Sequence, residues 1–106
     1  MKKERTPEQK ARNKALRALR ISERRQIVYK YLLDHPCVDC GEADPVVLDF
    51  DHVRGVKSSN IGNMIHRNGV EAILKEMKKC EVRCACCHRR VTAIEHNWWI
   101  VHQTGA

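Results

Sequence analysis

The stretch Lys79-Cys80-Glu81-Val82-Arg83-Cys84-Ala85-Cys86-Cys87-His88-Arg89-Arg90 decides how this chain is read. It answers an earlier one, Cys37-Val38-Asp39-Cys40-Gly41, with 43 residues between Cys40 and Cys84. Each Cys-x-x-Cys pair puts two thiolates on one tight turn, and two such turns supply a tetrahedral sulfur set about 2.3 Å from a zinc ion. Disulfides and buried free thiols are the competing readings. Disulfides suit an oxidising compartment, to which nothing in the chain points, and buried thiols need no two-residue spacing. The expectation is therefore a structural Zn2+ on Cys37, Cys40, Cys84 and Cys87. Of the two remaining cysteines, Cys80 reads as a packed small hydrophobe. Cys86 lies between the ligands, where it could compete for metal or oxidise, and its role stays open.

The segments on either side follow from periodicity. Val46 to Val53 alternates, with Val46, Leu48 and Phe50 on one side and Val47, Asp49 and Asp51 on the other, which predicts a strand. Arg54 to Asn63 is polar with Gly and Ser and reads as a loop. Val70, Ile73, Leu74 and Met77 form an i, i+3, i+4, i+7 stripe, hence a helix from roughly Gly69 to Lys79. Glu81-Val82-Arg83 is a short extended piece, and a last helix starts within Cys84–His88 and runs towards His96. Near the N-terminus, Thr6 can cap, Pro7 suits the first helical position and Gln9 can close a capping box. Ala11, Ala15, Leu16 and Leu19 then form a thin apolar stripe, and Ile27, Val28, Tyr31 and Leu32 a packed face. The reading is helix from Pro7 to Leu33, bent near Ile21-Ser22 and stopped by Asp34-His35-Pro36.

Composition adds bounds. With 106 residues the chain allows one compact domain plus an extension. Aromatics make up 5% against a hydrophobic fraction of 42%, so a large aromatic core is not available and metal binding energy can serve as folding energy. The net charge of +7 is uneven: residues 1–34 hold eleven Lys/Arg against four Asp/Glu, and residues 35–106 hold nine of each. That asymmetry points to a basic arm for a polyanion, joined to a neutral domain with another task. Lys10, Arg12, Lys14, Arg17, Arg20 and Arg24 are its candidate phosphate contacts. No run of about 18 apolar residues occurs, which argues against a membrane partner. The N-terminal stretch lacks the apolar segment and cleavage site of a secretory signal, so a cytoplasmic location is expected.

Asp51-His52 closes the predicted strand, and His88 directly follows the second cysteine pair. In these residues the chain resembles the HNH endonuclease family, in its bacterial and phage branch with a four-cysteine zinc site. The resemblance covers Pro36 to Thr92. It rests on Cys37-Val38-Asp39-Cys40, Leu48-Asp49-Phe50-Asp51-His52-Val53, Asn60-Ile61 and the stretch from Lys79 to Arg90. It implies an α+β fold with a small ββα-metal (His-Me finger) core. It further implies that His52 is the general base that activates water. Asp51 and His88 would hold one catalytic divalent cation (Mg2+, Mn2+, Ni2+ or Zn2+) at the scissile phosphate. Asn60, with Asn63 second, would be the middle Asn that orients the base or its loop, against the plainer reading of a turn Asn. The chain departs from the family where Lys79-Cys80 stand in place of a frequent Asn, and where Cys86 replaces the Asn of Cys-Ala-Asn-Cys-His.

The residue types suit that chemistry on their own. Neutral imidazole takes a proton near operating pH at little cost. A hard cation on one carboxylate and one imidazole keeps positions open for a phosphate oxygen and the departing 3′ oxygen. Adjacent Asp51 and His52 point to opposite sides of a strand, so both can act only if the strand ends or twists there. Arg89 and Arg90, beside His88, are placed to meet phosphates.

The division expected is therefore a basic helical DNA-binding arm over 1–34, the nuclease domain with its knuckles over 35–96, and a tail over 97–106. The activity expected is hydrolysis of DNA phosphodiesters, nicking or cutting with weak sequence preference, leaving 5′-phosphate and 3′-hydroxyl ends as the resemblance implies. The setting would be a bacterial or phage-infected cell, and monomer and homodimer both fit. Two rivals are a non-catalytic zinc-knuckle DNA-binding module and a phage packaging accessory protein. Trp98-Trp99 reads as packing rather than base stacking, and His66 and His96 as bystanders.

Overall fold

The structure, a computed structural model, describes residues 4–99. Its first element is a single helix, α1 (Pro7–Asp34), that starts with a complete capping box. The Gln9 backbone N–H donates to Thr6 Oγ1 at 3.1 Å, and the Thr6 N–H donates to Gln9 Oε1 at 2.9 Å. The helix continues without a break through Ile21-Ser22. It stops at Asp34 because His35 precedes Pro36 and is driven out of the helical region, to φ −131° and ψ 82°.

A 3-10 turn (Pro45–Val47) leads into strand β1 (Leu48–His52). The turn takes the first two residues of the expected strand, since Asp44 Oδ1 accepts from the Val46 N–H at 3.0 Å and Pro45 suits a helical start. Helix α2 (Ile61–Arg67) lies partly where a loop was expected. Asn60 caps it, and its seven residues are too few for a periodic stripe to stand out from the polar segment before them. Helix α3 (Val70–Met77) follows, then strand β2 (Cys80–Cys84) and helix α4 (Ala85–Glu95).

Among the described residues the architecture is thus a small α+β arrangement of four helices and one two-stranded antiparallel sheet. The register pairs Leu48 with Cys84, Phe50 with Val82 and His52 with Cys80. Strand alternation then puts Leu48, Phe50, His52, Cys80, Val82 and Cys84 on one face and Asp49, Asp51, Glu81 and Arg83 on the other.

Two buried clusters lie on the apolar side. One joins Val28, Ile61, Met64, Ile73 and Met77; the other joins Cys37, Leu48, Val82, Cys84 and Cys87. Tyr31, Leu32 and Phe50 pack against both, so α1 and β1 together bind the helical half to the cysteine half. Every residue from Pro7 to Arg20 is exposed, and this half of α1 projects about 21 Å at 1.5 Å per residue. The described residues measure 64 × 32 × 22 Å accordingly. No helix of the described residues is long and apolar enough to cross a membrane. Of the tail, residues 100–106 lie outside the described residues.

Candidate functional site

Cys37, Cys40, Cys84 and Cys87 bring their sulfurs within 4.8 Å of one another, although 43 residues separate the pairs in sequence. The first pair sits on a turn closed by the Gly41 N–H donating to the Cys37 carbonyl at 2.9 Å. Gly41 has φ +80°, a conformation that only glycine adopts without strain. The Val38 N–H donates to the Val82 carbonyl at 3.0 Å and fastens this turn to β2. The second pair straddles the start of α4: Cys84 is its N-cap, and its sulfur accepts from the Cys87 N–H at 3.4 Å.

The arrangement fits a metal on two grounds. Tetrahedral Zn–S bonds of about 2.3 Å imply sulfur–sulfur edges of about 3.8 Å, and Cys40 and Cys84 are 3.7 Å apart. The donor chemistry agrees. Burial alone would raise the Cys37 thiol, but hydrogen bonds from the backbone of Cys84, Cys40 and Asp39 outweigh it and bring it down to about 6. Cys87 is pushed up to about 12, by the Cys84 sulfur first and then by burial. A thiolate among sulfurs this close disfavours a second one, and a cation would relieve that repulsion. The set can hold a metal ion such as zinc.

The polar face of the sheet carries a different cluster. His88, on the first turn of α4, sets Nε2 3.5 Å from Asp51 Oδ1 and Nδ1 3.3 Å from Asp49 Oδ2. The other oxygen of Asp51 accepts from Arg83 Nη1 at 2.7 Å. Arg83 also donates through Nε to Asp39 Oδ2 at 2.7 Å and reaches Glu81 Oε2 at 2.9 Å. One guanidinium thereby ties Asp51 to Asp39, which stands between Cys37 and Cys40. Asp51 is left with Oδ1 free to serve a cation beside an imidazole nitrogen. Asp49 Oδ2 meets the other ring nitrogen of His88, where the carboxylate partner of a metal-bound histidine would stand.

No family model, curated protein or solved structure matches this chain.

His52 stands apart from that pair. Its ring lies on the apolar face, with Nε2 3.0 Å from Glu76 Oε2 on α3. Glu76 is 3% exposed and also accepts from the Ser58 N–H at 3.0 Å and from Lys79 Nζ at 2.9 Å. Lys79 above all, against the cost of burial, brings the Glu76 carboxyl down to about 2, with the Ser58 N–H and His52 adding to it. The strand does end at His52: the Val53 and Arg54 N–H groups both donate to the Lys79 carbonyl, and Gly55 turns the chain at φ +69°. Asn60 is engaged elsewhere than at His52. Its Oδ1 accepts from the Asn63 N–H at 2.8 Å, so it acts as a helix cap. It nevertheless shares an open cleft of about 380 Å³ with Asp49, Phe50, Lys57 and His88. The structure therefore brings Asp51 and His88 together, sets Asn60 in one cleft with His88, and turns His52 to the other face.

Cys80 is buried, and its thiol is pushed up to about 11 by burial first and then by Glu76 and Asp51, which suits a packing role. Cys86 is exposed and turned away from the sulfur set, and lines a surface cavity with Arg89, Arg90, Trp98 and Trp99. Trp98 packs under the Arg89 guanidinium at 5.1 Å, while Trp99 stays 70% exposed. On α1, Lys10, Lys14, Arg17, Arg20 and Arg24 fall within an arc of about 120° at 100° per residue, with Arg12 outside it. All but Arg24 are exposed; Arg24 donates to the Ile65 carbonyl at 3.1 Å and braces α1 against α2.

Three residues at this site, Asp49, Glu76 and Arg83, are not singled out by the motifs. Asp49 is legible through the two-residue period that gives it Asp51's face. Glu76 is legible as a charge inside the stripe of Ile73 and Met77, where only a paired carboxylate is tolerated. Arg83 has no such signal, because its three acceptors come from three different segments.

Proposed function

We propose that this chain is a metal-dependent DNA endonuclease of the HNH type, built on a ββα-metal core of β1, β2 and α4 and stapled by a structural zinc on Cys37, Cys40, Cys84 and Cys87. One observation carries the reading: His88 Nε2 lies 3.5 Å from Asp51 Oδ1 on the polar face, one residue beyond Cys87 of the sulfur set. A carboxylate and an imidazole set so close, with a guanidinium occupying only one carboxylate oxygen, form the donor pair for a divalent cation with open positions.

Asp51 and His88 would hold that cation (Mg2+, Mn2+, Ni2+ or Zn2+), which when bound would supply positive charge for the phosphate and the leaving oxygen. His52 takes a proton from water through Nδ1, the nitrogen that Glu76 leaves free. The water oxygen forms a bond to phosphorus as the bond to the 3′ oxygen breaks, giving a 5′-phosphate and, after protonation, a 3′-hydroxyl. The α1 stripe and Arg89 and Arg90 hold phosphates along the duplex, which positions DNA without reading its sequence.

A second reading has a specific observation behind it. His52 and Asp51 face opposite sides of β1, and Asn60 is occupied as a cap. A zinc-knuckle module that binds DNA without cutting it has both features.

Nicking of supercoiled plasmid by zinc-loaded protein, with Mg2+, Mn2+, Ni2+ or added Zn2+, separates the two. Asp51→Asn and His88→Ala should each lower the rate by at least about 10²-fold while DNA affinity stays near that of the unaltered chain. Undiminished nicking in either variant removes the pair as the cation site, and a wild-type chain inert with every metal favours the binding module.

A further inference from the structure

Among the described residues Glu76 is the one charged residue buried in the fold. A buried carboxylate is costly unless its lone pairs are met by donors. Lys79 on Oε1 and the Ser58 N–H on Oε2 already meet that need, and they knit α3 to the segment after β1. The bond to His52 Nε2 is an addition that neither the packing of α3 nor the charge balance requires. Its chemical consequence is specific. An ionised carboxylate can only accept, so Nε2 must carry a hydrogen, and in the neutral ring Nδ1 then keeps its lone pair. The bond at 3.0 Å also fixes the plane of a ring whose side chain is 14% exposed.

We infer that Glu76 is a positioning residue for His52: it selects the Nε2–H tautomer and holds the ring so that Nδ1 is the nitrogen offered to water. This rests on the nuclease reading for its catalytic consequence, though the tautomer is a property of the folded chain by itself. Lys79 and the Ser58 N–H act on Glu76 in turn, since each claims a lone pair that would otherwise let the carboxylate rotate away from the ring.

Heteronuclear NMR of the zinc-loaded full chain labelled with 15N-histidine reads the tautomer directly, at a pH where the ring is neutral. The expected spectrum has His52 with a protonated Nε2 and a bare Nδ1. Glu76→Gln should lose that signature, because its single oxygen cannot face Lys79 and His52 at once. In nicking assays the same variant should lower kcat on the order of 10²-fold, the scale that general-base catalysis supplies, with KM for plasmid unchanged. Lys79→Met should weaken the tautomer signature and lower kcat by less than Glu76→Gln does, because the carboxylate that meets Nε2 remains. A wild-type His52 protonated at Nδ1, or a folded Glu76→Gln chain that nicks at the wild-type rate, overturns the proposal. A wild-type chain inert with every metal overturns the nuclease reading and the catalytic half of this proposal with it. An active chain with an undiminished Glu76→Gln variant overturns the positioning role alone.

Discussion

The sulfur set and the Asp51–His88 pair are neighbours in sequence and opposites in character. Cys84 and Cys87 open α4 and face the buried side of the sheet, while His88, the very next residue, faces the polar side. The sulfurs are mostly buried and serve the fold: they close a cluster with Leu48 and Val82 that has no aromatic residue of its own and only borrows Tyr31 and Phe50 at its edge. The carboxylate–imidazole pair is partly open and lies outside both buried clusters. The difference is one of position along one helix turn: the sulfur set that could hold a metal such as zinc opens the helix whose next residue reaches Asp51. Arg83 reinforces the link from the other end, through Asp39 in the first knuckle and Asp51 at the pair.

Removing the metal from the sulfur side should have the largest effect. A structural zinc contributes on the order of 10 kcal/mol, as much as a small domain's whole stability. Chelation, or Cys84→Ser, should therefore abolish the cooperative thermal transition seen by circular dichroism. Elemental analysis should find about one tightly held zinc per chain, and a chelated, reduced sample with unchanged structure would remove the staple. His88→Ala should do the opposite, leaving the melting temperature within the few degrees that about 1 kcal/mol represents.

The arm sharpens the comparison because it lies outside both clusters. Deleting residues 1–21 removes Lys10, Arg12, Lys14, Arg17 and Arg20 and, among the described residues, no buried one. The slope of log affinity against log salt should flatten by up to about 7, near 0.9 for each phosphate that the eight deleted Lys and Arg (Lys2, Lys3 and Arg5 among them) no longer neutralise, with the core still folded. An unchanged slope would take DNA away from α1.

Acid acts on the face that carries His52. Glu76 titrates near 2 in the fold against an ordinary 4.5, so its carboxylate binds fewer protons when folded than when unfolded. Its contribution to stability is fully present above about 4.5 and is lost as pH falls through about 2. Wild type should melt above Glu76→Gln at pH 6, with the gap closing towards pH 2; a constant gap would mean that Glu76 is not held as the charged form. The smallest effect concerns the spare thiols. Iodoacetamide should label the exposed Cys86 in zinc-loaded protein and spare the buried Cys80 and the four ligands, including Cys40, which its exposure alone would not protect.

Much of this is legible in the sequence. Cysteine spacing carries the sulfur set because a tight turn between two ligands is a local feature, and the capping box of α1 is equally local. The strand's alternation places Asp51 opposite His52, and it places Asp49 beside Asp51, a consequence that becomes useful only once His88 is known to reach both. What sequence does not encode locally is the rest: Arg83 gathers Asp39 and Asp51 through tertiary folding, and Glu76 meets His52 across 24 positions. Helix α2 is hidden because Asn60 and Asn63 read as turn residues, though the first is the cap whose oxygen meets the N–H of the second.

The nuclease reading requires the two sides of β1 to act in one reaction. Plasmid nicking by zinc-loaded His52→Ala protein beside wild type, with DNA affinity measured on the same samples, tests this most directly. The expected result is a loss of about 10² to 10⁴-fold in nicking at unchanged affinity. Equal nicking by the two proteins would contradict it.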